Sequence, residues 1–131
     1  MIRAALAALL LGSAAGAETL DTAEKFESYV ADRTLFFHRG DGRVYASERY
    51  LPGRRVRWSR IGETCLEGEW WAQDGLICFA YETNPEPQCW RVALSDAGLR
   101  ATSDAPSNPT VIYEAQGVTG EQSCTGPRLG V

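Results

Sequence analysis

The chain has 131 residues, with 13 Lys and Arg against 17 Asp and Glu and a formal net charge of −4 at pH 7. This length predicts a single domain, and the acidic balance argues against nucleic acid or an anionic membrane as the main partner. The apolar run near the N-terminus is too short to span a bilayer and no second long apolar stretch follows, so we expect no stable membrane insertion after cleavage.

The first residues have the pattern of a signal peptide. A positively charged start is followed by an apolar run at Ala4–Leu11 and by the A-x-A motif of Ala15–Ala17. We expect cleavage near Ala17, which divides the chain into a signal peptide, residues 1–17, and one disulfide-stabilised β domain, residues 18–131. The leader has a bacterial composition, so the expected location is the periplasm or the exterior of the cell.

The first element predicted after the leader is an amphipathic helix. Asp21 is the predicted N-cap, with Glu24 three residues later in a capping-box position. Phe26 and Val30 lie four residues apart on the apolar side, and the helix is predicted to end near Arg33.

After the helix the apolar pattern changes to a period of two, which is typical of β-strands. Eight short strands are predicted, at Thr34–His38, Arg43–Leu51, Arg54–Arg60, Gly68–Gln73, Leu76–Glu82, Gln88–Leu94, Leu99–Thr102 and Thr110–Ala115. Asp74-Gly75 is the strongest hairpin signal, and Thr83–Pro87, with two prolines, is predicted to be a loop.

The predicted fold class is therefore mainly β, or α+β at most. Strands separated by turn signals every eight to twelve residues favour an antiparallel up-and-down β-barrel or a sandwich. The single N-terminal helix is expected to cover an open edge or end of the sheet.

Four cysteines, Cys65, Cys78, Cys89 and Cys124, predict two disulfides in an exported chain. We favour Cys78–Cys89 on neighbouring strands, which leaves Cys65–Cys124 to hold the C-terminal tail. The main rival pairs Cys65 with Cys89 and Cys78 with Cys124. The favoured pairing requires a bulge or a longer loop, because a plain hairpin would point Cys78 and Cys89 to opposite faces.

An aromatic group on the central strands is the candidate ligand-binding site. Its members are Trp58, Trp71, Tyr81 and Trp90. Adjacent Trp70 and Trp71 must point to opposite faces of a strand, so one of them faces the core. The group could form the wall of a ligand cavity, and the alternative is ordinary core packing beneath the helix.

A basic strand and a proline-containing loop are candidate interaction surfaces. Arg55 and Arg57 are predicted to share the face opposite Val56 and Trp58, where they could meet an acidic partner. The alternative is a solvated strand that pairs with acidic side chains of the same chain. Those candidates are Glu48, Glu63, Glu67 and Glu69. The loop candidates are Asn84 and Glu86.

Catalytic and metal-binding patterns are weak. His38 is the single histidine, and no G-x-S-x-G motif accompanies it. Glu67 and Glu69 share a strand face, a commonplace arrangement. The cysteine spacing contains no C-x-x-C pair, so we predict no metal site and no cofactor.

Several short motifs occur along the chain in an order that can be compared with known protein families. They are Tyr50–Trp58, Cys65–Trp70 with its G-x-W motif, Gly75–Tyr81 with its G-L-I-C motif, and Cys89-Trp90. Together they resemble a family of short exported bacterial proteins of unknown function, over about residues 20–115. The resemblance implies export and a β-rich domain, and it implies no catalytic residue. In size, compartment and cysteine use the chain is also similar to small periplasmic inhibitor barrels, which block proteases or lysozymes.

The leading hypothesis is a non-enzymatic periplasmic or secreted domain that binds an unknown small apolar ligand or an envelope protein. One version is a small lipocalin-like barrel that holds an apolar ligand against Trp58, Trp71 and Trp90. The other is a protein-binding module that uses Arg54–Arg60 and Asn84–Pro87. The alternatives are an enzyme-inhibitor-like barrel, a small hydrolase that uses His38 or the Glu67 and Glu69 pair, and a structural envelope protein.

Overall fold

The computed structural model describes residues 16–124 of the chain. Most of the predicted signal peptide, residues 1–15, lies outside this range, as do residues 125–131. The elements are β1 (Glu18–Thr19), α1 (Ala23–Val30), β2 (Thr34–His38), β3 (Ala46–Leu51), a 3-10 turn (Pro52–Arg54), β4 (Arg55–Arg60), β5 (Leu66–Gln73), β6 (Leu76–Tyr81), β7 (Asn84–Ser95), β8 (Gly98–Ser103) and β9 (Val111–Glu114).

Strands β2 to β9 form a closed, antiparallel, up-and-down barrel. Each strand pairs with the next one in the chain, and β9 returns to pair with β2. Of the two predicted architectures, the barrel is correct. Closure gives each of these eight strands a paired strand on both sides, which is the common solution to the edge problem of a small antiparallel sheet. The short β1 was not predicted; it pairs with β7 at Ala93 and Leu94, on the side opposite β8.

Helix α1 closes one end of the barrel. Phe26 and Val30 are buried, and the Phe26 ring makes edge-on contacts with Tyr50 at 5.6 Å and Trp70 at 5.0 Å between centroids. The helix closes the end of the barrel at which β3 ends, since the amide of Tyr50 on β3 donates to the carbonyl of Arg33, just after the helix. The expectation that the helix covers an end of the sheet is thus confirmed.

The helix boundaries differ from the sequence prediction. Thr22, not Asp21, is the N-cap, and its hydroxyl accepts a hydrogen bond from the Lys25 amide. Asp21 instead pairs with the Lys25 ammonium at 3.1 Å. The helix ends at Val30, before the predicted Arg33, because the chain turns through a positive φ of 61° at Asp32.

A buried carboxylate on β9 fastens the helix to the barrel. Glu114 accepts hydrogen bonds from the Tyr29 hydroxyl and from the Leu99 amide at 2.8 Å, and it pairs with Arg33 at 3.3 Å. These partners come from α1, the segment after it and β8, so one side chain joins three parts of the fold.

Hairpin β5–β6 forms as predicted from Asp74-Gly75. Both residues have positive φ, 53° and 77°, and Gln73 pairs directly with Leu76. This is the conformation that a two-residue type I′ turn requires.

The prediction of a loop at Thr83–Pro87 is wrong, because the chain turns at Glu82 and Thr83. Tyr81 pairs with Asn84, so Glu82 and Thr83 form the turn and β7 already begins at Asn84. The two prolines of this segment lie before Trp90, where β7 first pairs with β8. They therefore occupy a stretch with a sheet neighbour on one side, which is where strands tolerate proline.

Both favoured disulfides are confirmed. Between Phe79 and Tyr81 the β6–β7 register shifts by two residues, and this bulge brings Cys78 directly opposite Cys89. The bulge that the pairing required is therefore present. Cys65 pairs with Cys124 across a sequence separation of 59, and the nearby Gln122 side chain donates to the carbonyls of Ser47 and Arg57, so the tail lies against β3 and β4.

Candidate functional site: a cavity inside the barrel

The barrel interior contains a cavity of about 380 Å³. Its floor includes Phe26 from the helix and Tyr50 from β3. It opens at the opposite end of the barrel, where the exposed residues Arg39, Asn84 and Gln88 line it. That mouth lies where β2, β4, β6 and β8 end, because antiparallel neighbours run in opposite directions.

Aromatic rings make up much of the cavity wall. The Trp58 ring packs near Phe37 and Tyr45, each with a centroid distance of 6.2 Å, and the Phe79 ring stacks on Tyr81 at 6.5 Å. Trp90 also lines the space. Rigid aromatic walls of this kind offer a large apolar contact area to a bound molecule.

Three of the four predicted ligand-binding residues come together at this cavity. Trp58, Tyr81 and Trp90 line it, whereas Trp71 lies on the outer face. The Trp71 indole donates to the Gln73 side chain at 3.2 Å. Its neighbour Trp70 is the tryptophan that points inward, where it meets the helix. Adjacent residues of a strand point to opposite faces, so only one of the two tryptophans can face the interior. Trp70 is that residue because its ring packs against Phe26 of the helix.

A carboxylic acid is buried in the same cavity. Glu48 lies on β3 between Leu35 of β2 and Trp58 of β4, and it is 2% exposed. The Tyr81 hydroxyl donates to its two oxygens, at 2.8 Å to Oε1 and 3.1 Å to Oε2. No cationic side chain of the described residues pairs with it.

Burial controls the ionisation of this group. Removal from water raises the pKa of Glu48 to about 8, and the hydrogen bond from Tyr81 opposes the rise without cancelling it. Burial also raises the pKa values of Tyr81 and Tyr50 well above 10, and the neighbouring Glu48 charge acts in the same direction. At neutral pH the acid is therefore mostly protonated in the empty cavity.

Sequence reasoning placed Glu48 among possible partners of the basic strand and missed its position in the cavity. The signal was the alternation of β3, since Ala46, Glu48 and Tyr50 share one face and all three are buried. Glu67 is the acid that pairs with this strand, through a 2.8 Å contact to Arg57 on the outer face.

The predicted interaction residues do not form one surface. Arg55 is exposed, Arg57 is engaged by Glu67, and Glu86 is exposed on β7, while Asn84 lines the cavity mouth. Arg60, the last residue of β4, also lines the mouth and makes no side-chain hydrogen bond or ion pair within residues 16–124.

His38 has a local structural contact set. Its Nδ1 accepts hydrogen bonds from the amides of Gly40 at 3.0 Å and Gly42 at 3.3 Å, and its ring stacks on Tyr113 at 5.5 Å. These contacts hold the β2–β3 loop. Glu69, the second member of the predicted acidic pair, is exposed on the outer wall.

The described residues contain neither a metal-binding cluster nor a membrane-spanning helix. Between residues 16 and 124, His, Cys, Asp and Glu side chains nowhere gather in threes or more in a way that could hold a metal ion. Over the same range, no helix has both the length and the apolar character needed to span a bilayer.

Comparison with protein-family models, with curated proteins and with solved structures yields no match.

Proposed function

We propose that this protein is a non-enzymatic binding domain that holds a small, largely apolar ligand inside its barrel. The observation that carries the proposal is the open cavity of about 380 Å³ with its aromatic wall. Ligand sites in proteins typically measure ~300–1,000 Å³ and combine apolar walls with a few polar groups. This cavity has that composition, with Trp58, Tyr81 and Trp90 as wall and Glu48 as the buried polar group.

Small interior side chains support the proposal. An eight-stranded barrel can be filled by its own side chains or can hold one small ligand. Here Gly68 faces Tyr81 across β5 and β6, and Ala101 lines the space on β8. The missing side chain at Gly68 makes space for the Tyr81 ring, which a Cβ there would meet at 2.7 Å, and the small side chain of Ala101 leaves room between the large rings.

The location proposed for this function is the periplasm or the cell exterior, after removal of the leader. Two disulfides suit such an oxidising compartment. In this proposal the domain works as a small lipocalin-like carrier or sensor, without a cofactor. The inhibitor, hydrolase and structural alternatives, and membership of the exported family, remain predictions that no contact of the described residues favours.

A fluorescence titration tests the proposal. The neutral apolar probe N-phenyl-1-naphthylamine should bind the oxidised wild-type domain and gain fluorescence. Trp58→Ala and Trp90→Ala should each weaken binding about tenfold or more, since each removes a large apolar contact. Trp71→Ala is the matched control, because it removes a tryptophan from the outer face and should leave binding unchanged.

Circular dichroism of each variant establishes that it is folded. If the folded Trp58 and Trp90 variants bind the probe as well as Trp71→Ala does, the cavity is not the site and the proposal is wrong. Absence of probe binding to the wild type would equally contradict it.

A further inference from the structure

Glu48 is a buried acid in the cavity that has no counter-charge among residues 16–124. Glu48 is 2% exposed and lines the cavity, and its contact inside the described fold is a single neutral donor, the Tyr81 hydroxyl. When ionised, a carboxylate has lone pairs for about four hydrogen bonds, and the single Tyr81 hydroxyl uses only part of this capacity. Burial of such a group without a partner destabilises a fold, and buried carboxylates are as a rule paired with a cation or a metal.

The surroundings of this acid suit an organic cation. Trp58 neighbours Glu48 directly across β3 and β4, Tyr81 bonds to it, and Tyr50 lies two residues away on the same face. Aromatic faces attract ammonium groups, and the attraction grows when the cation is removed from water. A carboxylate beside several aromatic rings therefore provides both contacts that a protonated amine needs.

We propose that the ligand carries a protonated amine, which forms an ion pair with the Glu48 carboxylate while its apolar remainder packs against Trp58 and Trp90. This inference rests on the proposed function and adds the chemical class of the ligand to it. The amine supplies the positive charge that no side chain of residues 16–124 places beside this acid.

The other ionisable groups around the cavity fit this arrangement. Burial raises the pKa values of Tyr81 on β6 and Tyr50 on β3, so both phenols stay neutral near pH 7, and Tyr45 before β3 also lines the cavity. Arg39 lies over the Tyr45 ring at 4.6 Å, and Arg60 ends β4, so both positive charges are at the mouth. There they would meet the outer end of a ligand whose amine points inward.

Calorimetry with three ligands of matched shape tests the inference. The probes are 2-phenylethylamine, 2-phenylethanol and 3-phenylpropionate, which end in an ammonium, a hydroxyl and a carboxylate. We expect the wild type to bind the amine at least tenfold more tightly than the alcohol. Glu48→Gln should lose this preference and retain the affinity for the alcohol, since the amide keeps the shape of the side chain. Glu69→Gln, an exposed acid on the outer wall, is the matched control and should behave as wild type.

Proton release gives a second readout that a merely structural role of Glu48 would not produce. Because the pKa of Glu48 is about 8 in the empty cavity, binding of an ammonium at pH 7 should displace close to one proton. The measured heat should then vary with the ionisation enthalpy of the buffer. Affinity for the amine should rise about tenfold from pH 6 to pH 7, and both effects should vanish in Glu48→Gln.

Each result has a defined meaning. Tightest binding of 3-phenylpropionate, or equal binding of the amine and the alcohol, overturns the amine inference and leaves the apolar cavity as the proposed function. Failure of all three ligands and of the neutral probe N-phenyl-1-naphthylamine overturns both.

Discussion

The stability of the folded domain should fall as pH rises, and Glu48→Gln should abolish most of that fall. The carboxyl group has a pKa of about 8 in the folded state against an ordinary value of 4.5. Between these two values the folded chain holds a proton that the unfolded chain has lost. A group whose pKa is raised on folding contributes stability below its unfolded pKa, and that contribution disappears as pH approaches the folded pKa.

The size of the effect follows from the same two values. The free energy of unfolding should decrease by about 1.36 kcal/mol for each pH unit between them. From pH 5 to pH 8 the expected loss is about 3 to 4 kcal/mol, because titration is incomplete at both ends of this interval. Total stabilities of small domains are about 5–15 kcal/mol, so this single carboxyl should dominate the pH dependence near neutrality.

Urea unfolding at pH 5, 6, 7 and 8 measures the effect, with the disulfides kept oxidised. The quantity of interest is the difference in unfolding free energy between wild type and Glu48→Gln, since the other titrating groups are common to both. Glu69→Gln provides the comparison with an exposed acid and should parallel the wild type. If wild type and Glu48→Gln give parallel curves from pH 5 to 8, Glu48 is ionised in the fold and the reasoning about its burial is wrong.

Three further substitutions test the packing. Phe26→Ala should lower the unfolding free energy by about 3–5 kcal/mol in urea titrations, because the ring is 1% exposed and plugs the barrel; a cost below about 1 kcal/mol would contradict that role. Gly68→Ala should destabilise by about 1–3 kcal/mol and weaken probe binding, because a Cβ there would clash with the carbonyl oxygen of Ala80 and lie 2.7 Å from the Tyr81 ring; unchanged stability and affinity would contradict this close approach. The double change Cys65→Ser and Cys124→Ser should lower the unfolding free energy by about 2–4 kcal/mol, and an unchanged denaturation midpoint would mean that this disulfide does not stabilise the fold.

Much of the barrel could be predicted because strand alternation and turn chemistry are local. The Asp74-Gly75 turn follows from the positive φ that both positions require, and β2 begins and ends at the predicted residues. The error at Asn84–Pro87 has a non-local cause. Proline is unfavourable in a strand on average, but the Asn84–Pro87 stretch of β7 pairs with β6 alone, and the sequence pattern does not reveal which stretches of a strand have a neighbour on one side only.

The sequence indicated the aromatic residues Trp58, Tyr81 and Trp90 that line the cavity, but it did not indicate Glu48. This omission also has a non-local cause. The alternation of β4 correctly separates Val56 and Trp58 from Arg55 and Arg57. Whether Glu48 joins the tryptophan or the arginines depends on the register between β3 and β4. The observed register pairs Glu48 with Trp58, and a shift by one residue would have moved the acid to the outer wall.

The order of the strands also has a kinetic consequence. Every barrel pairing but one joins neighbours in sequence, and such hairpins close quickly because little chain must be ordered to form them. The exception is the join between β2 and β9, where Phe37 meets Glu114 and His38 meets Tyr113. Strands β2 to β9 therefore form a series of hairpins, and the short β2–β9 pairing, called the seam here, closes the series into a barrel. The seam should form last during folding and open first. Amide hydrogen exchange should accordingly be fastest there among the barrel strands, and the route by which a molecule reaches the interior need not be the permanent mouth alone.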